Sequence, residues 1–244
     1  MSFPSYLIRI WLANRGLSGL SVRRHRKVYE EWRSMIRSGK TPWDLEMPWI
    51  TLLARDYVKD YLGKLPRAET RVFEYGTGGS GLFFLQFAST VVSVEHDAQW
   101  YSKVSERANQ LNQDDWQVIL AEPEPLGNHA GRHDPSDPDG YRSADPSFLN
   151  KNFRNYVTKI DSFPDSSFDV VLVDGRSRPS CLRHGAPKVK RNGLLVLDNA
   201  ERSYYLERKP LPDGQFTLVH SSMGALVGSP QLTRTNIYIR NQTP

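Results

Sequence analysis

The spacing of apolar residues along the chain predicts a helical region followed by strands that alternate with helices. Over residues 47–62 the apolar side chains recur at helical spacing, which predicts an amphipathic helix. Apolar runs typical of buried strands follow at residues 71–75, 91–95, 117–121, 168–174 and 193–198. Helix-compatible segments, notably 81–88 and 98–111, separate most of these runs.

This alternation predicts the fold class. Strands separated by helices form βαβ units, which build a mostly parallel sheet with helices on both faces. Two further β-rich runs, 216–220 and 235–240, have no helical pattern between them and predict an antiparallel pair at one edge. We therefore predict a doubly wound α/β domain over residues 66–244, preceded by a helical extension over residues 1–65 that caps the site or mediates dimerisation.

Residues 122–150 interrupt the alternation. They contain five prolines and three glycines and show no periodicity. Long loops in compact domains are uncommon, and they are usually either functional or disordered. Two interpretations stay open for this segment, a lid over a substrate site and a disordered insertion.

Composition excludes several classes of protein. The 244 residues are 39% hydrophobic and 24% charged, and no apolar run approaches the roughly 20 residues of a membrane span. The single cysteine, Cys181, cannot form an intrachain disulfide and fits a reducing compartment, so we expect a cytoplasmic protein. The net charge of +5 is modest, which favours a small-molecule substrate over nucleic acid.

The N-terminal region is basic and partly apolar. Its first 29 residues contain no Asp or Glu, and apolar side chains at positions 6–12 precede a basic run at 23–27. A basic run is usually a solvated helix face, although it can also contact an anionic partner. The stretch resembles a transit peptide or an interfacial helix, but it lacks a basic start and a cleavage site. We favour helices docked on the domain or on a second copy, and the second of these alternatives gives a homodimer.

A glycine-rich loop follows the first predicted strand. Gly76, Gly78 and Gly81 match G-x-G-x-x-G at the point where a strand gives way to a helix. Glu95 lies 19 residues after Gly76, at the end of the second strand, where an acidic side chain accepts hydrogen bonds from a ribose. The loop predicts a nucleotide-like ligand; the alternative is a turn used only for close helix packing.

Glu74 distinguishes between two kinds of cofactor. It stands two residues before Gly76, at the end of the first strand. A carboxylate there disfavours the pyrophosphate of a dinucleotide and favours the positive charges of S-adenosylmethionine. Charge therefore favours S-adenosylmethionine as the ligand.

The motif series resembles class I S-adenosylmethionine-dependent methyltransferases over residues 72–240. The matching stretches are E-Y-G-T-G-G-S-G, V-V-S-V-E-H-D, F-D-V-V-L-V-D-G and G-L-L-V-L-D-N. The resemblance implies a Rossmann-like, seven-stranded sheet. It also implies a cofactor site with the methionine part near Glu74, Gly76, Gly78 and Ser80, the ribose near Glu95, the adenosine near His96, and Asp174 adjoining.

Three oxygen-bearing side chains are predicted at neighbouring strand ends. Asp174 ends one strand, and Asp198 with Asn199 ends the next, so in a parallel sheet they share one edge. Such donors suit Mg²⁺, and the arrangement resembles the metal site of catechol-type O-methyltransferases. Helix capping and a metal-free catalytic role are the alternatives.

The catalytic base and the substrate contacts depart from that pattern. Where those enzymes have a lysine base three residues after the first Asp, this chain has Ser177. Asp174 and His184 are then the candidate bases, and Arg176 and Arg178 are candidate clamps for an anionic group. We also expect Tyr141 to line the substrate pocket.

The predicted reaction is methylation of a small-molecule oxygen. The Asn/Asp-Pro-Pro-Tyr signature of amino methylation is absent, which favours oxygen as the acceptor. The rival functions are a nicotinamide-dependent oxidoreductase, a non-catalytic cofactor-binding protein and a nucleic-acid methyltransferase.

Overall fold

The computed structural model describes residues 1–16, 21–111, 115–126 and 133–242. Its helices are α1 (Phe3–Asn14), α2 (Val22–Ser38), α3 (Leu52–Leu62), α4 (Gly79–Leu85), α5 (Ala98–Gln110), α6 (Arg154–Val157), α7 (Arg178–Gly185) and α8 (Tyr204–Glu207). Its strands are β1 (Arg71–Tyr75), β2 (Thr90–Glu95), β3 (Trp116–Leu120), β4 (Glu124–Pro125), β5 (Lys151–Asn152), β6 (Phe168–Val173), β7 (Val189–Leu197), β8 (Phe216–Ala225) and β9 (Leu232–Arg240).

The main sheet has the predicted architecture. Within the described ranges it contains seven strands in the order β3-β2-β1-β6-β7-β9-β8. The first five of these strands pair in parallel, whereas β9 runs antiparallel to both β7 and β8. The doubly wound, mostly parallel fold with an antiparallel terminal pair is therefore confirmed.

Apolar cores cover both faces of the sheet. On one face Phe73, Tyr75 and Val171 pack with residues of α6 and α7. On the other face Val72 and Val170 pack with residues of α3, α4 and α5. Adjacent positions of a strand point to opposite faces, so a strand covered on both sides needs a continuous apolar run. This is why the central strands could be located in the sequence.

The N-terminal helices have an apolar core of their own. Tyr6 and Ile10 of α1 and Trp32 of α2 pack against the β8–β9 connection at Ala225 and Val227. Hydrogen bonds fix this contact, because Trp32 Nε1 donates to the carbonyl of Ser229. The extension is thus docked on the end of the sheet. Among the described residues no helix is both long and apolar enough to cross a membrane.

Candidate functional site

The glycine loop forms where β1 ends. Gly76 has a φ of 89°, in the region that favours glycine. A Cβ at Gly76 would lie 3.4 Å from the Cα of Gly175, which follows β6. The loop after β1 and the loop after β6 therefore lie side by side, with room for about one carbon atom between the two glycines.

Packing requires two other glycines of the loop. A Cβ on Gly81 would lie 2.1 Å from the Trp116 ring, and one on Gly79 would lie 2.2 Å from the carbonyl oxygen of Pro42. The packing interpretation of the motif is thus correct for Gly79 and Gly81. It does not account for Gly76, whose requirement is conformational.

Glu74 is a buried carboxyl with one free oxygen. Its Oε1 accepts hydrogen bonds from Ser93 Oγ at 2.5 Å and Thr77 Oγ1 at 3.2 Å. Its Oε2 is buried and has no hydrogen-bond partner among the described residues. Burial raises the pKa of Glu74 to about 7, while hydroxyl groups including that of Ser80 oppose the shift. A buried oxygen without a donor is costly, so Glu74 is suited to a cationic or donor-bearing ligand.

Glu95 ties the end of β2 to the glycine loop. Its Oε1 accepts hydrogen bonds from the backbone N–H groups of His96 at 2.7 Å and Asp97 at 2.8 Å. Its Oε2 accepts a longer one, 3.3 Å, from the N–H of Thr77. Glu95 and Glu74 thus flank Thr77, as expected if both strand ends face one ligand.

A cavity of about 800 Å³ opens at the carboxyl ends of the parallel strands. Six of the residues predicted to form the site line it, namely His96, Asp174, Arg176, Arg178, Asp198 and Asn199. The other predicted cofactor residues, Glu74, Gly76, Gly78, Ser80 and Glu95, lie on the adjoining β1 and β2 side without being part of its lining. The sheet thus brings both groups to one edge.

Arg178 joins the two aspartates. Its Nη2 donates to Asp174 Oδ1 at 3.0 Å, and its Nη1 donates to the backbone carbonyl of Asp198 and lies 4.0 Å from Asp198 Oδ2. The remaining Asp198 oxygen accepts from Thr235 Oγ1 at 2.8 Å. Burial and the charge of Asp198 raise the pKa of Asp174 well above its usual value, and burial raises that of Asp198 to about 6.

This arrangement does not fit the predicted magnesium site. The guanidinium of Arg178 already binds the pair Asp174 and Asp198, so a second cation would meet like charge there. Among the described residues no group of three or more His, Cys, Asp and Glu side chains is placed to hold a metal ion. Nor do the aspartates cap the helices that follow, since the N-cap residues of α7 and α8 are Ser177 and Ser203.

Two predicted residues lie elsewhere. His184 Nδ1 lies 2.8 Å from Asp161 Oδ2, and its Nε2 lies 3.2 Å from the hydroxyl of Tyr141. Neither His184 nor Tyr141 is among the described residues that line the cavity. His184 is close to Asp174 in sequence, but it occupies the last turn of α7, whereas Asp174 precedes the first. The structure therefore disfavours His184 as the base and Tyr141 as a substrate contact at this cavity.

Two arginines that the sequence did not single out line the cavity. Arg142 is 7% exposed, and its Nε is buried without a hydrogen-bond partner among the described residues. Arg202 donates to the hydroxyl of Tyr205 at 3.0 Å. Neither arginine has an ion pair with a carboxylate in the described part of the chain, whereas Arg176 pairs with Asp145 at 3.1 Å. No spacing rule could have found Arg142, because it lies in the aperiodic insertion.

The described part of the insertion covers the site. Residues 142–146 form part of the cavity wall. Phe148 contacts the ring of His96 with 5.5 Å between centroids, and the guanidinium of Arg176 lies 5.4 Å from the Phe148 ring centre. This placement favours the lid over the disordered insertion, although residues 127–132 lie outside the described ranges.

Comparison with known proteins adds to this picture. No protein-family model matches the chain, and no curated protein matches it. A Streptococcus mutans protein assigned as a methyltransferase and solved in complex with SAH has a TM-score of 0.50 and 13% identity, over 76% of this chain and 96% of that one. An rRNA methylase from Streptococcus thermophilus has a TM-score of 0.47 and 14% identity, over 76% of this chain and 95% of the methylase. The first likeness concerns the fold alone: the chain has the Rossmann-like methyltransferase fold.

Proposed function

We propose that the chain is an S-adenosylmethionine-dependent methyltransferase that methylates an oxygen of a small molecule bearing an anionic group. The observation that carries this proposal is the position of Asp174, which faces a large cavity beside the glycine loop. Methyl transfer to a hydroxyl needs a group that accepts the hydroxyl proton, and a carboxylate with a raised pKa is suited to that role.

The residues of the glycine loop fit the cofactor. The free Oε2 of Glu74 supplies a negative charge for the ammonium group of the methionine part. Glu95 supplies acceptor oxygens for the ribose, and His96 borders the cavity on the side assigned to the adenosine. When bound, S-adenosylmethionine supplies a methyl group activated by the sulfonium charge.

The aspartates and Arg178 prepare the acceptor side. Asp174 keeps about a fifth of its side chain exposed, whereas Asp198 is almost fully buried. Asp174 is thus the carboxylate that reaches an acceptor, and we assign it the role of proton acceptor. Arg178 holds it in place and offsets part of the negative charge of the pair, so Arg178 is a positioning residue and no divalent metal is part of this proposal.

The anionic group of the acceptor is assigned to Arg142 and Arg202. Both line the cavity, and neither has a carboxylate partner among the described residues. Arg142 is buried, and a buried guanidinium without a counter-ion is unfavourable, so a carboxylate or phosphate on the substrate would remove that cost. Arg202 is exposed and would add a second contact to the same group. This replaces Arg178 in the anion-clamping role predicted from the sequence; Arg176 is engaged by Asp145.

Calorimetric titration with S-adenosylhomocysteine and, separately, with NAD tests the cofactor assignment. We expect binding of S-adenosylhomocysteine alone, and at least tenfold weaker binding by the Glu95→Ala variant, about 1.4 kcal/mol. Binding of NAD alone would favour the oxidoreductase, and binding of neither would favour a protein without cofactor-dependent catalysis. Binding of S-adenosylhomocysteine without turnover on a broad panel of hydroxylated acids and phosphates would favour the non-catalytic alternative.

A further inference from the structure

One face of α1 is apolar and exposed, on the side opposite to the one that packs on the domain. Ile8, Trp11 and Leu12 are 59%, 56% and 64% exposed. They are separated by three and four positions, so they lie together on one face of the helix. The opposite face is used by Tyr6 and Ile10, which are buried. We call the set Ile8, Trp11 and Leu12 the outer face of α1.

Basic side chains are concentrated in α1, in α2 and next to them, in the same N-terminal region as this outer face. The first 29 residues contain six Arg and Lys residues and no Asp or Glu. The positive charge of this region is therefore larger than the net charge of +5 of the whole chain. Five of these six basic side chains are exposed and have no ion pair with a carboxylate in the described ranges: Arg9, Arg15, Arg23, Arg26 and Lys27. Arg26 of α2 lies against α1, since its guanidinium is 4.5 Å from the ring centre of Phe3.

The combination of charge and apolar surface selects one kind of partner. A second copy docked through this face would bring two strongly basic surfaces together, which is unfavourable. Nucleic acid would neutralise the charge but would leave Ile8 and Leu12 without an apolar environment. A membrane with anionic headgroups satisfies both features, because aliphatic and Trp side chains enter the boundary below the headgroups while Arg and Lys contact the phosphates.

We propose that the outer face of α1 docks the protein on anionic lipid bilayers. The helix has 12 residues, too few to cross a bilayer, so it lies in the plane of the surface. Because Tyr6 and Ile10 anchor α1 to the domain, the bound helix would hold the whole protein at the membrane.

Vesicle co-sedimentation of the full chain tests the proposal. We use vesicles of phosphatidylcholine alone and vesicles in which about a third of the lipid is phosphatidylglycerol. We expect binding to the anionic vesicles at least about tenfold tighter than to the neutral ones, weakening as NaCl is raised. Equal binding to both kinds of vesicle, or binding to neither, would overturn the proposal.

Substitutions locate the binding surface. The triple variant Ile8→Ser, Trp11→Ser, Leu12→Ser should lose at least about tenfold in affinity for anionic vesicles. The control is Leu149→Ser, which removes a leucine that is 48% exposed and far along the chain, and this variant should bind vesicles like the unchanged protein. Circular dichroism and affinity for S-adenosylhomocysteine establish that the variants are folded.

Two outcomes would assign the surface to another partner. A dimer in sedimentation equilibrium that the triple variant abolishes, with unchanged vesicle binding, would show that a second copy occupies the outer face. Salt-sensitive RNA binding that Arg9→Gln and Arg15→Gln abolish, without an effect on vesicle binding, would show that nucleic acid does. Both results contradict docking on a bilayer, and neither bears on the cofactor site.

Discussion

Two buried charged side chains at the site each have an atom without a hydrogen-bond partner among the described residues, and they need partners of opposite charge. Glu74 needs a positive group for its free oxygen, whereas Arg142 needs a negative one. A ligand-free protein bears the cost of both, so these residues are destabilising until the ligands bind. Substituting these residues should therefore raise the stability of the free protein and lower its affinity for ligands.

Glu74→Gln should stabilise the free protein and weaken the cofactor complex. Burial raises the folded pKa of Glu74 to about 7, above its unfolded value, so the folded state binds the extra proton and loses stability as pH rises from about 4.5 to 7. Because Gln does not ionise, the variant avoids this loss, and above pH 7 its free energy of unfolding should exceed that of the unchanged protein by about 1–3 kcal/mol. Urea unfolding at pH 5 and pH 8 measures the effect, which should be small at pH 5. Affinity for S-adenosylmethionine should fall about tenfold.

The outcome that contradicts this assignment is a variant less stable than the unchanged protein at pH 8. In that case the carboxylate would be stabilised by its hydroxyl donors even without a ligand. Ser93→Ala serves as the control, since it removes the 2.5 Å donor to Glu74 Oε1 and should be destabilising.

Arg178→Met should be strongly destabilising, by about 3–5 kcal/mol near pH 7, because it leaves Asp174 and Asp198 without their counter-charge. The pKa values of both carboxyls are already raised in the folded protein, and without Arg178 they would rise further, so the loss should shrink as pH falls and the carboxyls take up protons. Denaturant unfolding at pH 7 and pH 5 measures it. The matched control is Arg176→Met, whose partly exposed pair with Asp145 should contribute less than about 1 kcal/mol.

At the scale of elements, the sequence predicted the buried strands well and the edge poorly. Strand β1 has the predicted bounds, because Val72, Phe73 and Tyr75 are apolar and the strand is covered on both faces. Strand β8 extends to Ala225, five residues beyond the predicted end, through two serines, a methionine and a glycine that form no apolar run. An edge strand exchanges hydrogen bonds with only one neighbour and needs no apolar run, so periodicity cannot mark its end.

The candidate site likewise has a part that the strand pattern predicts and a part that it does not. The parallel sheet predicted from the sequence places Asp174 and Asp198 at one edge of the sheet. The structure places them there, together with Asn199. The placement of Arg178 between the aspartates depends on how the first turn of α7 leaves the sheet, which no local pattern encodes. His184 was a candidate base in the sequence, and in the structure the last turn of α7 places it against Asp161.

Gly81→Ala tests the contact between α4 and β3. The added Cβ would lie 2.1 Å from the ring of Trp116, which is 5% exposed and held by a hydrogen bond to Ser93. Overpacking of this kind costs about 1–3 kcal/mol. Gly63→Ala is the control, because Gly63 has a right-handed helical backbone and a nearest contact of 3.3 Å. Thermal unfolding should show a clear loss for Gly81→Ala and little change for Gly63→Ala.

At the scale of the whole molecule, the proposed cofactor site and the cavity belong to one folded unit. The sheet is covered on both faces, and the N-terminal helices close the end that carries β8 and β9. A ligand that binds only this folded unit must stabilise all of it. Ligand-induced stability is therefore a measure of cofactor binding that needs no knowledge of the acceptor.

S-adenosylhomocysteine at a hundred times its Kd should raise the free energy of unfolding by about 2.7 kcal/mol. The increase should be the same in EDTA and in Mg²⁺, because Arg178 already supplies the positive charge between the aspartates. Chemical unfolding in the two buffers provides the measurement. A stabilisation that requires Mg²⁺ would restore the metal site that the geometry disfavours.

The contact between Gly76 and Gly175 has a kinetic consequence. Neither loop has a side chain at this point, so the backbone after β1 lies beside the backbone that presents Asp174. We expect a ligand that orders the first loop to order the second as well. The acceptor would then meet a formed site only after the cofactor has bound, which is an ordered sequence of addition rather than a random one.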